Sequence, residues 1–254
     1  MDVYLLSAFV FSGLIGLSLG MIGGGGSIII LPVLVYLAGI DPLSAVGMSL
    51  AIVGATSLAG VVFHYLRGNV DLRKGTLFGG FGAGGAYFGS GLTPLVSGEN
   101  LLLIFALLLA AVALVMMFRK SPPRMEGSGA TDLKKTAAAG LLVGVLTGFL
   151  GVGGGFLIVP ALALFGGVEI GAAIGTSLLV IAINSAAGLI GQFQHHPLDL
   201  KVTAVYGVIA CTGTWIGARL GEGASPERLQ KGFAWFAMAV ALFLIFKSQG
   251  AIIR

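Results

Sequence analysis

Long apolar runs separated by short polar stretches make up nearly all of this chain. They fall at about residues 3–20, 27–39, 43–66, 75–96, 100–118, 136–150, 156–167, 170–193, 200–220 and 229–246. A helix rising about 1.5 Å per residue needs about 20 residues to cross about 30 Å of hydrocarbon. Eight of the runs reach or approach that length; 27–39 and 156–167 are too short to cross alone, and each follows a glycine cluster. Between the fifth and sixth runs, Arg119 to Lys135 is polar and holds Pro122-Pro123 and Gly127-Ser128-Gly129, so it reads as a flexible linker.

The two sides of that linker repeat each other. Gly20 to Pro32 lines up with Gly148 to Pro160 at an offset of 128 residues. The same offset pairs Gly39 with Gly167, and Ala45-Val46-Gly47-Met48-Ser49-Leu50 with Ala173-Ile174-Gly175-Thr176-Ser177-Leu178. It continues without a gap through Ala59-Gly60 and Ala187-Gly188, Asp71-Leu72 and Asp199-Leu200, Gly85 and Gly213, Gly89 and Gly217, and Glu99 and Glu227. Glycine is abundant here, but composition alone does not produce a match that long. The expected fold is an all-α polytopic membrane protein. It has a first transmembrane repeat over 1–118, a cytoplasmic linker over 119–135 and a second repeat over 136–254. Each repeat has four to five membrane segments, one of them a short helix led by glycines. Repeats carrying such interrupted segments at corresponding positions mark secondary transporters, which bind substrate near the midplane.

Composition supports the membrane reading. Of 254 residues, 57% are hydrophobic and 9% charged, with a mean hydropathy of +1.04. A soluble domain carries roughly a quarter charged residues, so here the outer surface must face lipid. All ten acidic residues lie between apolar runs or at their ends. The net charge of +4 forms no basic stripe interleaved with aromatics, which leaves no nucleic-acid surface. Cys211 is the only cysteine and sits in an apolar run, so no intrachain disulfide can form. Charge also bears on topology. If each half crosses five times, the repeats are inverted, and eleven Lys and Arg lie on one side against Lys201, Lys247 and Arg254 on the other. If the short runs do not cross, the repeats are parallel and the count is again eleven against three, with Arg219, Arg228 and Lys231 in the minority. The positive-inside rule does not separate the two. Inverted repeats are preferred because alternating access then follows from symmetry.

Three groups of residues are candidates for chemistry. The glycine clusters, Gly24, Gly25 and Gly26 before Ser27, and Gly153, Gly154 and Gly155 in the second half, stand where short apolar helices begin. Free N–H groups and the dipole at a helix start bind anions without a basic side chain, although small residues also serve close helix packing in membranes. Next come the polar side chains of the third run in each half. Ser49 and Thr56, and likewise Ser177 and Asn184, are seven residues apart and share a helix face, with Thr176 beside Ser177. A dehydrated anion would partner them; so would their own helix backbone. Third, no carboxylate lies inside a long apolar run, so a proton relay of the usual kind is missing. His64, near the end of its helix, is the one histidine in an apolar segment and a candidate for coupling. No catalytic set, metal-ligand cluster or nucleotide loop is present, so neither enzymatic activity nor a cofactor is expected.

The Gly-rich segments ending at Pro32 and Pro160, each followed by Gly47-Met48-Ser49-Leu50 or Gly175-Thr176-Ser177-Leu178, resemble the TauE/SafE family of sulfite-exporter-like permeases. The likeness covers nearly the whole chain; Met48 stands where the family more typically has Thr. It implies transport of a sulfur oxyanion or organosulfonate across the bacterial inner (cytoplasmic) membrane. A passive anion channel and a non-transporting membrane assembly protein are the alternatives. Substrate, direction, coupling ion and oligomeric state stay open.

Overall fold

The structure is a computed structural model that describes residues 3–23, 26–118, 133–155, 157–158, 162, 170–193, 198–221 and 226–252. Gly24, Gly25 and most of the expected linker fall outside these. The described residues form helices α1 (Val3–Ile22), α2 (Ser27–Tyr36), α3 (Pro42–Tyr65), α4 (Leu72–Leu92), α5 (Gly98–Phe118), α6 (Leu133–Leu150), α7 (Ile170–Gln192), α8 (Leu200–Gly221) and α9 (Pro226–Ile252), with a 3-10 turn at Thr93–Leu95. No strand occurs among them.

Three acidic residues at the run boundaries, Asp41, Asp71 and Asp199, are helix caps. Asp41 Oδ2 accepts from the Leu43 and Ser44 amides at 3.0 and 3.2 Å, with Pro42 in the first turn. Asp71 Oδ1 accepts from the Lys74 amide at 2.9 Å, and Asp199 Oδ1 from Lys201 and Val202 at 3.0 and 3.1 Å. Each carboxylate satisfies orphan donors and meets the positive end of the helix dipole.

Eight long helices match the eight long runs. Among the described residues, five of them (α3, α5, α6, α7 and α8) are long and apolar enough to cross a membrane by themselves. The 21-residue α4 is less apolar because glycines take the place of larger side chains along it. Large apolar side chains such as Phe88, Phe118, Leu142 and Phe246 point outward, as a lipid-facing surface requires, while Leu31, Leu50, Phe78 and Phe105 are wholly buried.

Contacts between helices fix their directions. A Cβ built on Gly16 or Gly20 of α1 would strike the carbonyl oxygen of Ala210 or Thr214 on α8, and one on Gly213 or Gly217 would strike that of Gly13 or Leu17. Adding 128 to each number, or subtracting it, gives the α6–α4 crossing. There Gly144 and Gly148 meet Gly82 O and Ala86 O, while Gly85 and Gly89 meet Leu141 O and Val145 O. Backbones touch directly at both crossings, so only glycine fits. In each crossing the paired helices run parallel.

By contrast, α3 and α7 are antiparallel. A Cβ on Gly54 would lie 3.3 Å from the Ser185 Cβ, one on Gly188 would lie 3.3 Å from Leu50, and one on Gly60 would lie 2.8 Å from Leu178. Meanwhile α3 runs parallel to α8, with Gly47 near Leu198 at one end and the Phe63 and Trp215 rings 5.8 Å apart at the other. Between α1 and α3, which therefore point the same way, α2 returns the chain: Gly26 abuts the Ile15 carbonyl, and Ile30 and Val33 lie beside Ile15 and Ser12. In the first half five segments are observed, and among the described residues α3 runs opposite to its counterpart α7. Arg67 over the Phe63 ring (4.3 Å) and Arg219 over Trp215 (5.8 Å) lie at one face of the bundle, the Arg67 face. Asp41, Asp199 and Lys247, whose Nζ sits 5.7 Å from the Tyr36 ring, lie at the other, the Asp41 face.

Candidate functional site

Where α1 ends, Gly23 reverses the chain with φ +77°, and Gly151 does the same after α6 with φ +72°. Both values lie in the left-handed region that residues with a Cβ disfavour. The two turns also press onto corresponding helices, Gly23 against Ile174 and Gly151 against Val46. Beyond them, Gly26 caps α2 in helical conformation with no side-chain bond (φ −67°, ψ −24°), Ser27 opens the helix fully buried, and Gly155 is helical and buried. Gly153 reaches the α3–α7 crossing, between Val53 and Ile181, and Gly154 faces the Thr147 hydroxyl. The described glycines thus pack closely against other helices. One of them, Gly153, also brings a helix start to the centre of the bundle.

The polar side chains of α3 and α7 divide sharply. Thr56 is occupied by its own helix, its hydroxyl reaching the carbonyls of Ile52 (2.8 Å) and Val53 (3.0 Å). Ser177 joins two elements: its hydroxyl lies 2.6 Å from the Gly23 carbonyl and 2.7 Å from that of Ile174. Thr176 Oγ1 accepts a 2.9 Å bond from the Asp71 amide. Ser49, the counterpart of Ser177, is fully buried with no partner. The same holds for Ser57, Ser185 and both polar atoms of Asn184, which abuts Gly82 of α4. Ser185 sits at the α3–α7 contact through Gly54. Buried hydroxyl and amide groups without partners each cost of the order of 1–3 kcal/mol, and four in one pair of crossing helices is a concentration that packing does not explain.

His64 lies in the last turn of α3 on the Arg67 face, beside Gly175, with Nε2 buried and unpartnered. Its counterpart Gln192 donates from Nε2 to Leu43 O at 3.3 Å on the opposite face. Among the described residues no group of three His, Cys, Asp or Glu is placed to hold a metal ion.

One feature was not anticipated from the sequence. A cavity of about 790 Å³ opens on the Asp41 face between the end of α2 and the starts of α3 and α8. Asp41, Ser44, Asp199 and Tyr206 are in its wall, and Met48 reaches it from α3. The capping aspartates were its one trace in the sequence.

Comparison with known proteins agrees with this architecture. The family described as sulfite exporter TauE/SafE matches residues 8–244. A probable membrane transporter protein of Xylella fastidiosa (strain 9a5c) is 35% identical over 247 residues, covering 95% of each chain. The probable membrane transporter protein YdhB of Bacillus subtilis is 30% identical over 238 residues, covering 92% of this chain and 97% of its own. A probable membrane transporter protein of Haemophilus influenzae is 26% identical over 97% of this chain. No solved structure matches.

Proposed function

The chain belongs to the sulfite exporter TauE/SafE family of multi-pass membrane transporters, and from that premise we propose that it carries a small sulfur-containing oxyanion, sulfite or an organosulfonate, across the bacterial cytoplasmic membrane as a secondary transporter. The observation that carries this reading is the set of buried, unpartnered donors on α3 and α7: Ser49, Ser57, Asn184 and Ser185. An oxyanion stripped of water needs several hydrogen-bond donors, and these side chains need acceptors. Each side's desolvation cost is offset by the other. Gly153, between Val53 and Ile181, lies at the same crossing, and a helix start favours negative charge through its free N–H groups and dipole. Neutral donors suit the task because the anion must also be released.

The opposed directions of α3 and α7 are those of inverted repeats, the architecture in which alternating access follows from exchanging the two halves. Arg67, Arg73, Lys74, Lys134, Lys135, Arg219 and Lys231 all belong to helix ends on the Arg67 face, and Lys201 and Lys247 to the other. By the positive-inside rule the Arg67 face is cytoplasmic.

The reading is tested by calorimetry on purified protein with sulfite, sulfate, thiosulfate and small sulfonates, comparing the parent chain with Asn184→Ala. Loss of the charge-assisted bond should weaken binding roughly tenfold to a hundredfold. Equal affinity in the two proteins would remove Asn184 from the site. Absence of binding by every anion would favour an assembly role instead.

A further inference from the structure

The polar side chains left open along the α3–α7 crossing also constrain the charge of what they hold. No Lys or Arg occurs among residues 1–66 or 136–200, so neither helix brings one to the crossing. Among the described residues, the charged and titratable groups on the elements around Asn184 stand at helix ends or face outward. Asp41 caps α3, with His64 and Arg67 at its other end; Asp71, Arg73 and Lys74 open α4; Lys134 and Lys135 open α6. Tyr65 and Tyr87 are exposed. Asn184 itself abuts Gly82, eight residues beyond Lys74 and so about 12 Å along α4 at about 1.5 Å per residue. An anion at this crossing therefore meets dipoles and no counter-charge. The Born cost of desolvation rises with the square of the charge, so a dianion costs about four times as much as a monoanion of similar size.

The open atoms are also of both kinds. Asn184 leaves Oδ1 as well as Nδ2 without a partner, and either orientation of the amide presents a donor and an acceptor. An oxyanion without a proton offers acceptors only, so it would leave the amide oxygen unmet and set negative charge against it. A singly protonated oxyanion offers acceptors to Nδ2 and the serine hydroxyls, and its own O–H to Oδ1.

We propose that the transported species is the monoanion that keeps one proton, hydrogen sulfite rather than sulfite or sulfate, and that Asn184 selects it through its paired donor and acceptor. This rests on the reading of the chain as a carrier of sulfur oxyanions. The O–H bond stays intact through the crossing, and its proton passes to water on the far side, leaving sulfite there. Each anion thus takes one proton across with it. That proton links transport to the pH gradient in a chain whose long apolar runs hold no carboxylate.

The experiment reads initial rates of labelled sulfite uptake into proteoliposomes of equal internal and external pH, over a series that spans the second ionisation of sulfite. Protein-free vesicles subtract the leak of sulfur dioxide. Uptake should saturate, and the total sulfite that half-saturates it should rise by about tenfold per pH unit once hydrogen sulfite is the minor species. Expressed as hydrogen sulfite, the half-saturating concentration should stay constant. His64→Gln should keep that slope, because the proton belongs to the substrate. Sulfate, a dianion throughout, should not compete. In calorimetry, Asn184→Ala should weaken hydrogen sulfite by roughly two- to tenfold more than methanesulfonate, a monoanion with no proton to donate. Equal losses for the two would remove Asn184 as the selector. A half-saturating total that is independent of pH, or that falls as the dianion grows, overturns the proposal and leaves the transport reading standing. Competition by sulfate equal to that of sulfite, or a slope flattened in His64→Gln, overturns it in the same way. No saturable uptake at any pH removes the transport reading and the proposal with it.

Discussion

Asn184 presents a conflict that a single substitution can resolve. Its amide is fully buried, and neither polar atom has a partner, so it weakens the fold unless something else accepts from it. Asn184→Leu should therefore leave thermal stability unchanged or raise it by about 1–3 kcal/mol, while abolishing anion binding. Loss of stability together with unchanged binding would show that the amide has an undetected structural partner. Ser177 is the opposite case, because its hydroxyl already ties α7 to the Gly23 turn. Ser177→Ala should cost about 1–3 kcal/mol in detergent-solubilised thermal unfolding by leaving a buried carbonyl unmet, and an undisturbed melting curve would contradict that role. The sequence singled out Ser49, Thr56, Ser177 and Asn184 as one class. Only side-chain neighbours separate them: Thr56 is satisfied within its own helix and Ser177 by a distant turn, whereas Ser49 and Asn184 are left open. Spacing places residues on a face, but it does not say what that face meets.

At the scale of elements, the glycines serve two different ends. Those at the α1–α8 and α4–α6 crossings admit backbone against backbone, so Gly20→Ala, Gly89→Ala or Gly148→Ala should destabilise by at least about 1–3 kcal/mol through overpacking. Gly80 and Gly84 of the same α4 helix have open space where a Cβ would go. Alanine there should be neutral or should stabilise by up to about 1 kcal/mol through helix propensity. A uniform response of all five variants in thermal unfolding would contradict the crossing geometry. The long helices were legible because a run of about 20 apolar residues leaves few alternatives in lipid. Glycine spacing was legible as repetition; its partners were not. Gly16 and Gly144, for example, obtain meaning only from the carbonyls of Ala210 and Gly82 on helices far away in sequence. The cavity between α2, α3 and α8 was equally hidden, since Asp41 and Asp199 announce helix starts and nothing more.

For the molecule as a whole, the opposed directions of α3 and α7 separate the two topologies that charge counting left equal. With Arg67 and Arg219 on one face, cysteines introduced at Asn69 and Lys231 should be shielded from impermeant thiol reagents in intact cells, and those at Ser97 and Lys201 labelled. Labelling of Lys231→Cys together with Lys201→Cys would contradict the inverted arrangement. The central claim, that the chain is a carrier of sulfur oxyanions, is tested most directly by counterflow in proteoliposomes. Vesicles loaded with unlabelled sulfite are diluted into trace labelled sulfite, and the series is repeated with small sulfonates. A carrier should concentrate the label transiently, with uptake that saturates and is lost in Asn184→Ala. Flux that rises linearly without overshoot, or no flux with any sulfur oxyanion, would contradict the account.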